Sequence, residues 1–155
     1  MIVVEHLTAP TDDARQLINE LDAELGNEYP PEQRHGLSIE RVFQPGIMFF
    51  VARLDGDAAG CGGVALEDGF AEVKRMYVRP AARGRNVAQA ILARLEEEAR
   101  TRSVRRMVLE TGDIRHAAMR FYERCGFTRC GAFGVYTTMP VRAIERSVFF
   151  EKRIG

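Results

Sequence analysis

A chain of 155 residues, 46% of them hydrophobic, is long enough to bury one core, which predicts a single domain over residues 1–155. Its 22 basic and 22 acidic residues cancel, so no basic field covers the molecule and nucleic acid is not the expected partner. The odd count of three cysteines (Cys61, Cys125 and Cys130) argues against a disulfide framework, and their spacing against a metal site.

In chain order, Ile2–Leu7 predicts a first strand. Thr11 predicts the N-cap of a helix carrying Ala14, Leu17, Ile18, Leu21 and Leu25 at helical spacing, stopped at Gly26. Asn27–Arg34, with its two prolines, reads as a loop, and Leu37–Phe43 as a short helix. Ile47–Arg53 and Ala58–Leu66 are expected to form a hairpin across Asp55-Gly56-Asp57. Gly60, Gly62 and Gly63 in its second arm predict a bulge or a close backbone approach. A turn at Glu67-Asp68-Gly69 leads into the strand Ala71–Val78.

A helix from about Arg83 to Arg102 would place Val87, Ile91, Leu92, Leu95 and Ala99 on one face. Arg106–Thr111 reads as a strand. Ile114, Ala117, Ala118, Phe121, Tyr122 and Cys125 trace a second amphipathic helix, closed by Gly126. Phe127–Gly131 and Ser147–Arg153 are the last expected strands, joined by a long connection. This order predicts a mixed α/β fold. The N-terminus has no basic segment followed by a long apolar one, and no apolar run reaches membrane-spanning length. A soluble, cytoplasmic protein is expected.

Strand Ala71–Val78 turns through Pro80 and Arg83-Gly84-Arg85-Asn86-Val87-Ala88 into a helix. A glycine-bearing, arginine-rich turn at a helix start suits a pyrophosphate, because the first N–H groups of a helix lack internal acceptors and carry the positive end of its dipole. A plain helix start explains the same run. The run Arg83-x-x-Asn86-x-Ala88 resembles the (Gln/Arg)-x-x-Gly-x-(Gly/Ala) signature of the GNAT superfamily, the acyl-CoA-dependent N-acyltransferases. It departs at Asn86, where the family has Gly; Asn is tolerant of unusual backbone angles. The segment Ala117–Phe127 also resembles the family's Ala-x-x-Leu-Tyr-Glu-Lys-x-Gly-Phe. Arg115 stands where many members have Asn.

The resemblance implies a twisted, mostly antiparallel sheet, split in a V between two parallel strands and flanked by helices. It implies acetyl-CoA as cosubstrate, no metal, and a primary amine on a small molecule or peptide as acceptor. It assigns the pyrophosphate to Arg83, Gly84, Arg85, Asn86, Val87 and Ala88, main-chain contacts to Met76, Tyr77 and Val78, and a contact with the cofactor arm to Arg115. Ala71-Glu72-Val73 resembles the Ala-Glu-Ile run whose Glu is a base. Glu72 is thus either the base that deprotonates the amine or half of an ion pair with Lys74, and Glu110 is the runner-up. Tyr122 matches the tyrosine that protonates the leaving thiolate; alternatively it is a core aromatic beside Phe121 and Phe127.

Phe133, Tyr136 and Met139 of the long connection serve either as an acceptor-site flap or as a homodimer surface. The loop Asn27–Gly36, with Tyr29, Arg34 and His35, is the other candidate wall. Two further readings stay open. One is a non-catalytic acyl-CoA-binding regulatory module, and the other is a nucleic-acid-associated protein using the clusters Arg79–Arg85 and Arg100–Arg106.

Overall fold

The computed structural model describes all residues 1–155 as a seven-stranded sheet with helices on both faces. The strands are β1 (Ile2–Leu7), β2 (Ile47–Leu54), β3 (Asp57–Glu67), β4 (Phe70–Val78), β5 (Arg106–Gly112), β6 (Thr128–Cys130) and β7 (Ser147–Arg153). Their spatial order is β1-β2-β3-β4-β5-β7-β6. Every neighbouring pair is antiparallel except β4 and β5, which run parallel. The helices are α1 (Asp12–Gly26), α2 (Val87–Thr101), α3 (His116–Arg124) and the short α4 (Val141–Ile144).

Local chemistry accounts for most boundaries. Thr11 caps α1 by accepting the Ala14 N–H at 3.2 Å. The β2–β3 turn uses positive φ at both Asp55 and Gly56, as a tight hairpin with right-handed strand twist requires. Gly126, at φ 96°, closes α3 in a left-handed cap, with the Phe127 N–H returning to the Tyr122 carbonyl.

Four expected boundaries shift. The second long helix begins at Val87 rather than Arg83, because Gly84 (φ 79°) and Asn86 (φ 68°) are left-handed and cannot lie inside a helix. Leu37–Phe43 contains only a single 3₁₀ turn at Arg41–Phe43, too short a run to sustain a helix. The strand expected over Phe127–Gly131 shrinks to Thr128–Cys130, because Phe127 turns into the core. The connection before β7 holds a 3₁₀ turn (Gly134–Thr138) and α4.

The core has two sides. Under α2 and α3 lie Phe50, Val64, Val73, Ile91, Leu95, Leu109, Tyr122 and Phe150. On the opposite face α1 covers Phe49, Val51, Cys61 and Tyr77, while the tail packs Phe133 and Tyr136 on Val108 and Phe149. The close backbone approach expected at the glycines occurs at Gly60, where a Cβ would sit 2.6 Å from the Tyr77 carbonyl oxygen, and side-chain packing is equally tight at Gly62, where a Cβ would sit 2.8 Å from Ile91 Cγ2. The bulge lies opposite Gly62. Pairing jumps from Cys61–Tyr77 to Gly63–Lys74, and Arg75 takes φ 55°. β4 and β5 pair only at Ala71–Met107 and Glu72–Val108 and then part, which forms the V. No helix is long and apolar enough to cross a membrane.

Candidate active site

Two adjacent cavities open from the split, one on each side. The larger, of about 810 Å³, lies on the α2–α3 side and is bounded by the end of β4, the start of α2 and the face of α3. Met76, Tyr77, Val78, Arg83, Gly84, Asn86, Val87, Ala88 and Arg115 all line it. Arg85 does not; its guanidinium lies 3.8 Å from Asp55 at the β2–β3 turn. The Arg85 side chain thus leaves the cleft for a carboxylate outside it, so its place in the pyrophosphate turn rests on its backbone N–H rather than on its guanidinium.

The cleft fits a pyrophosphate through its backbone. From Gly84 through Gln89 no N–H has a backbone acceptor, and Asn86 supplies no side-chain cap. Left-handed angles at Gly84 and Asn86 curl these donors around the positive end of α2. The two arginines flanking the cleft are already engaged. Arg83 Nη2 pairs with Glu24 at 2.9 Å and its Nε donates to the Val78 carbonyl at 2.9 Å. Arg115 donates to Glu24 at 3.2 Å and to Glu28 at 2.9 Å. Burial acts to raise the Glu24 carboxyl, but the two guanidiniums outweigh it and hold it below its ordinary value.

The smaller cavity, of about 120 Å³, lies on the α1–tail face. Both candidate walls contribute to it: Tyr29, Arg34 and His35 from the loop after α1, and Tyr136 from the tail. Glu72, Lys74 and Glu110 form its floor. Glu72 is 8% exposed, so its charge needs partners. It finds them at one oxygen: Oε2 accepts the Tyr136 hydroxyl at 2.7 Å and Lys74 Nζ at 3.2 Å, leaving Oε1 unengaged. The charged residues of β4 are therefore both paired and cavity-lining, and no strand edge solvates them.

Glu110 on β5 faces the same cavity, as the alternation away from Met107 and Leu109 requires. Ser147 Oγ donates to its Oε2 at 2.6 Å. Burial pushes its carboxyl above the ordinary range; Glu72 adds to the rise, against Ser147, His35 and Lys74. Tyr136 was legible only as an apolar flap residue, yet its hydroxyl anchors Glu72. A tyrosine alone in a long connection carries no sequence signal for that bond.

The two cavities meet at Met76, Arg115, Ala118 and Tyr122, which line both. Tyr122 is 6% exposed and packs against Phe121 and Phe127, so the core reading holds for its ring. Its hydroxyl has no partner within the protein and reaches the junction. Burial drives it well above an ordinary phenol, so it stays protonated and can donate. No group of three or more His, Cys, Asp or Glu gathers as for a metal. Cys61 is fully buried, with its thiol pushed up to about 12 by desolvation, and serves packing.

A model of the acetyltransferase (GNAT) family matches residues 13–127. The chain belongs to that family. Among curated relatives, an IAA acetyltransferase of Azospirillum brasilense is 42% identical over 147 residues, covering 93% of each chain. A Klebsiella pneumoniae structure assigned as an acyl-CoA N-acyltransferase is 31% identical, superposes with a TM-score of 0.78 and covers 100% of this chain and 99% of its own. The PaiA N-acetyltransferase of Thermoplasma acidophilum, solved with coenzyme A, is 16% identical; it covers 97% of this chain and 99% of its own with a TM-score of 0.68, sharing the GNAT fold.

Proposed function

We propose that this GNAT enzyme moves an acetyl group from acetyl-CoA to a primary amine by direct attack within a ternary complex. One observation carries the reading: a large cleft with a row of free backbone donors meets a small carboxylate-floored cavity at Tyr122. Acetyl-CoA, when bound, supplies the thioester carbonyl for attack and the thiol that leaves. The N–H groups from Gly84 to Gln89 bind the pyrophosphate, with Arg83 beside them. Main-chain groups of Met76, Tyr77 and Val78, freed where β4 leaves β5, bind the cofactor's arm as an added strand would. Arg115, at the junction, orients the arm from the other side.

An ammonium has no lone pair, so the chain must accept a proton before transfer. Glu72 Oε1 is the acceptor of first choice, directly or through one water, because Lys74 and Tyr136 fix the carboxylate in place. A second reading assigns the proton to Glu110, and its raised carboxyl favours that, since a base works best when its pKa approaches the working pH. Tyr122 donates its proton to the departing sulfur.

The test pairs binding with turnover. Calorimetric titration with acetyl-CoA should show micromolar-range affinity, weakened when Asn86 or Gly84 is changed to Val. Release of free thiol in the presence of amines should then fall in Glu72→Gln, Glu110→Gln and Tyr122→Phe while acetyl-CoA affinity holds. A folded chain that binds acetyl-CoA but transfers to no amine would establish the binding-module alternative. No binding at all would remove both.

A further inference from the structure

The small cavity has an unusual charge balance, and this inference rests on the acetyltransferase reading above. Five basic side chains line it, and most are already neutralised. Lys74 pairs with Glu72, Arg75 with Asp22, and Arg115 with Glu24 and Glu28. His35 bonds through Nε2 to the Ala143 carbonyl at 2.8 Å. Arg34 has no such partner. It forms no ion pair, and its Nε is buried without any hydrogen bond. The other buried side-chain polar atom lacking a partner is Arg75 Nε, and Arg75 lines the same cavity.

Both orphaned donors in the protein therefore belong to guanidiniums around one small space. A guanidinium N–H buried without an acceptor is costly, and Arg34 in addition brings an unpaired charge to the cavity wall. The negative side is incomplete in the same way. Glu110 faces the cavity with a hydrogen bond from Ser147 and no ion pair. An unpaired guanidinium and an unpaired carboxylate within one cavity form the complement of a zwitterion.

We infer that the acceptor is a small amine bearing a carboxylate, in the manner of a free amino acid, with its ammonium toward Glu110 and Glu72 and its carboxylate on Arg34. Size agrees with this. An apolar cavity of about 150 Å³ holds one benzene, so a space of about 120 Å³ suits an amino acid with a small side chain. A carboxylate and a guanidinium also match in planar, two-point geometry, which an ordinary amine lacks. Transfer forms the nitrogen–acyl bond and breaks the carbon–sulfur bond. The ammonium gives one proton to a carboxylate, the nitrogen's second proton replaces the one that Tyr122 gives to the departing thiolate, and the products are an N-acetyl amino acid and coenzyme A thiol.

The experiment measures thiol release from acetyl-CoA with the common L-amino acids, with their α-amides, and with phosphoethanolamine. Free acids should be preferred over their amides. Arg34→Gln should cut kcat/KM for the free acids by about 10–100-fold, chiefly through KM, with KM for acetyl-CoA unchanged. Arg34→Lys should restore part of the loss, and the amides should not respond to either variant. Equal use of acids and amides, preference for phosphoethanolamine, or an Arg34→Gln loss shared by the amides would overturn the inference. So would silence from every amine while acetyl-CoA still binds. Failure to bind acetyl-CoA would instead sink the acetyltransferase reading itself, so the two failures are told apart.

Discussion

Removing the Tyr136 hydroxyl tests whether the tail of this chain belongs to the site or merely covers it. In Tyr136→Phe the ring still fills its place among Phe133, Phe149 and Val108, so packing is conserved. What is lost is one buried hydroxyl, which donates to Glu72 Oε2 at 2.7 Å and accepts from Lys74 Nζ at 3.3 Å. A hydrogen bond to a charged group contributes about 1.5–3 kcal/mol, twice a neutral one, because the remaining carboxylate is left short of a partner in a low-dielectric setting. For a domain of this size each kcal/mol moves the midpoint by about 2–4 °C, so the expected fall in Tm is about 3–12 °C. Urea unfolding followed by circular dichroism gives the free energy directly. The sharper form is a double-mutant cycle with Glu72→Gln. In that background the partner is neutral, and Tyr136→Phe should cost only about 0.5–1.5 kcal/mol. A coupling energy within about 0.5 kcal/mol of zero, the range of independent sites, would refute the idea that the tail holds the carboxylate in place.

Tyr122→Phe should lower kcat by roughly a hundredfold, the usual scale of one positioned proton donor, while calorimetry shows unchanged acetyl-CoA affinity. Its unfolding free energy should stay within about 0.5 kcal/mol of wild type, because the hydroxyl bonds to nothing in the protein. Asn86→Ala should lose about 1 kcal/mol in urea unfolding, since alanine tolerates φ 68° poorly, whereas Asn86→Gly should be close to neutral. Glu110 carries a pH signature. Its carboxyl is raised in the folded chain, so over the window between the ordinary and the raised value the folded state keeps a proton that the unfolded state has lost. Its contribution to stability therefore declines as pH rises through that window and is a fixed penalty above it. Glu110→Gln should gain stability over wild type at about pH 8 and little at about pH 4, read from urea midpoints.

The shape of the larger cleft was legible in the sequence, because its determinants are local. A left-handed Gly84 and Asn86, a helix start and a Gly126 cap are properties of short segments, and a short segment displays them. Even there, the direction of the Arg85 side chain was hidden, since nothing in Arg-Gly-Arg-Asn says which guanidinium turns inward; the answer lies in Asp55, far away in the chain. The smaller cavity was less legible because it is assembled from distant pieces. Tyr136 meets Glu72 across 64 residues, and Ser147 meets Glu110 across 37. Tyr29 reaches across 85 residues to accept the Ile114 N–H. No periodicity announces such pairs. Phe133 and Tyr136 looked apolar enough to pack, and they do pack, but only the folded chain reveals that the hydroxyl is the part that matters.

One backbone irregularity ties the two sides together. With unbroken alternation along β4, Arg75 would share the face of Ala71 and Val73, inside the core beneath α2, where a guanidinium has no partner. The extra residue opposite Gly62 moves Arg75 to the α1 face, where it pairs with Asp22, and returns Met76 to the α2 face, where it packs against the core. Holding a non-glycine residue at φ 55° costs about 1–2 kcal/mol, and the Asp22 pair and the packing of Met76 and Tyr77 offset it. The same irregularity lies where β4 has left β5, and it sets Met76 in the wall between the two cavities. The strain at Arg75 thus falls where one strand must face the larger cleft with its backbone and the smaller cavity with its side chains. A regular strand would present the same alternating surface along its whole length and could not do both.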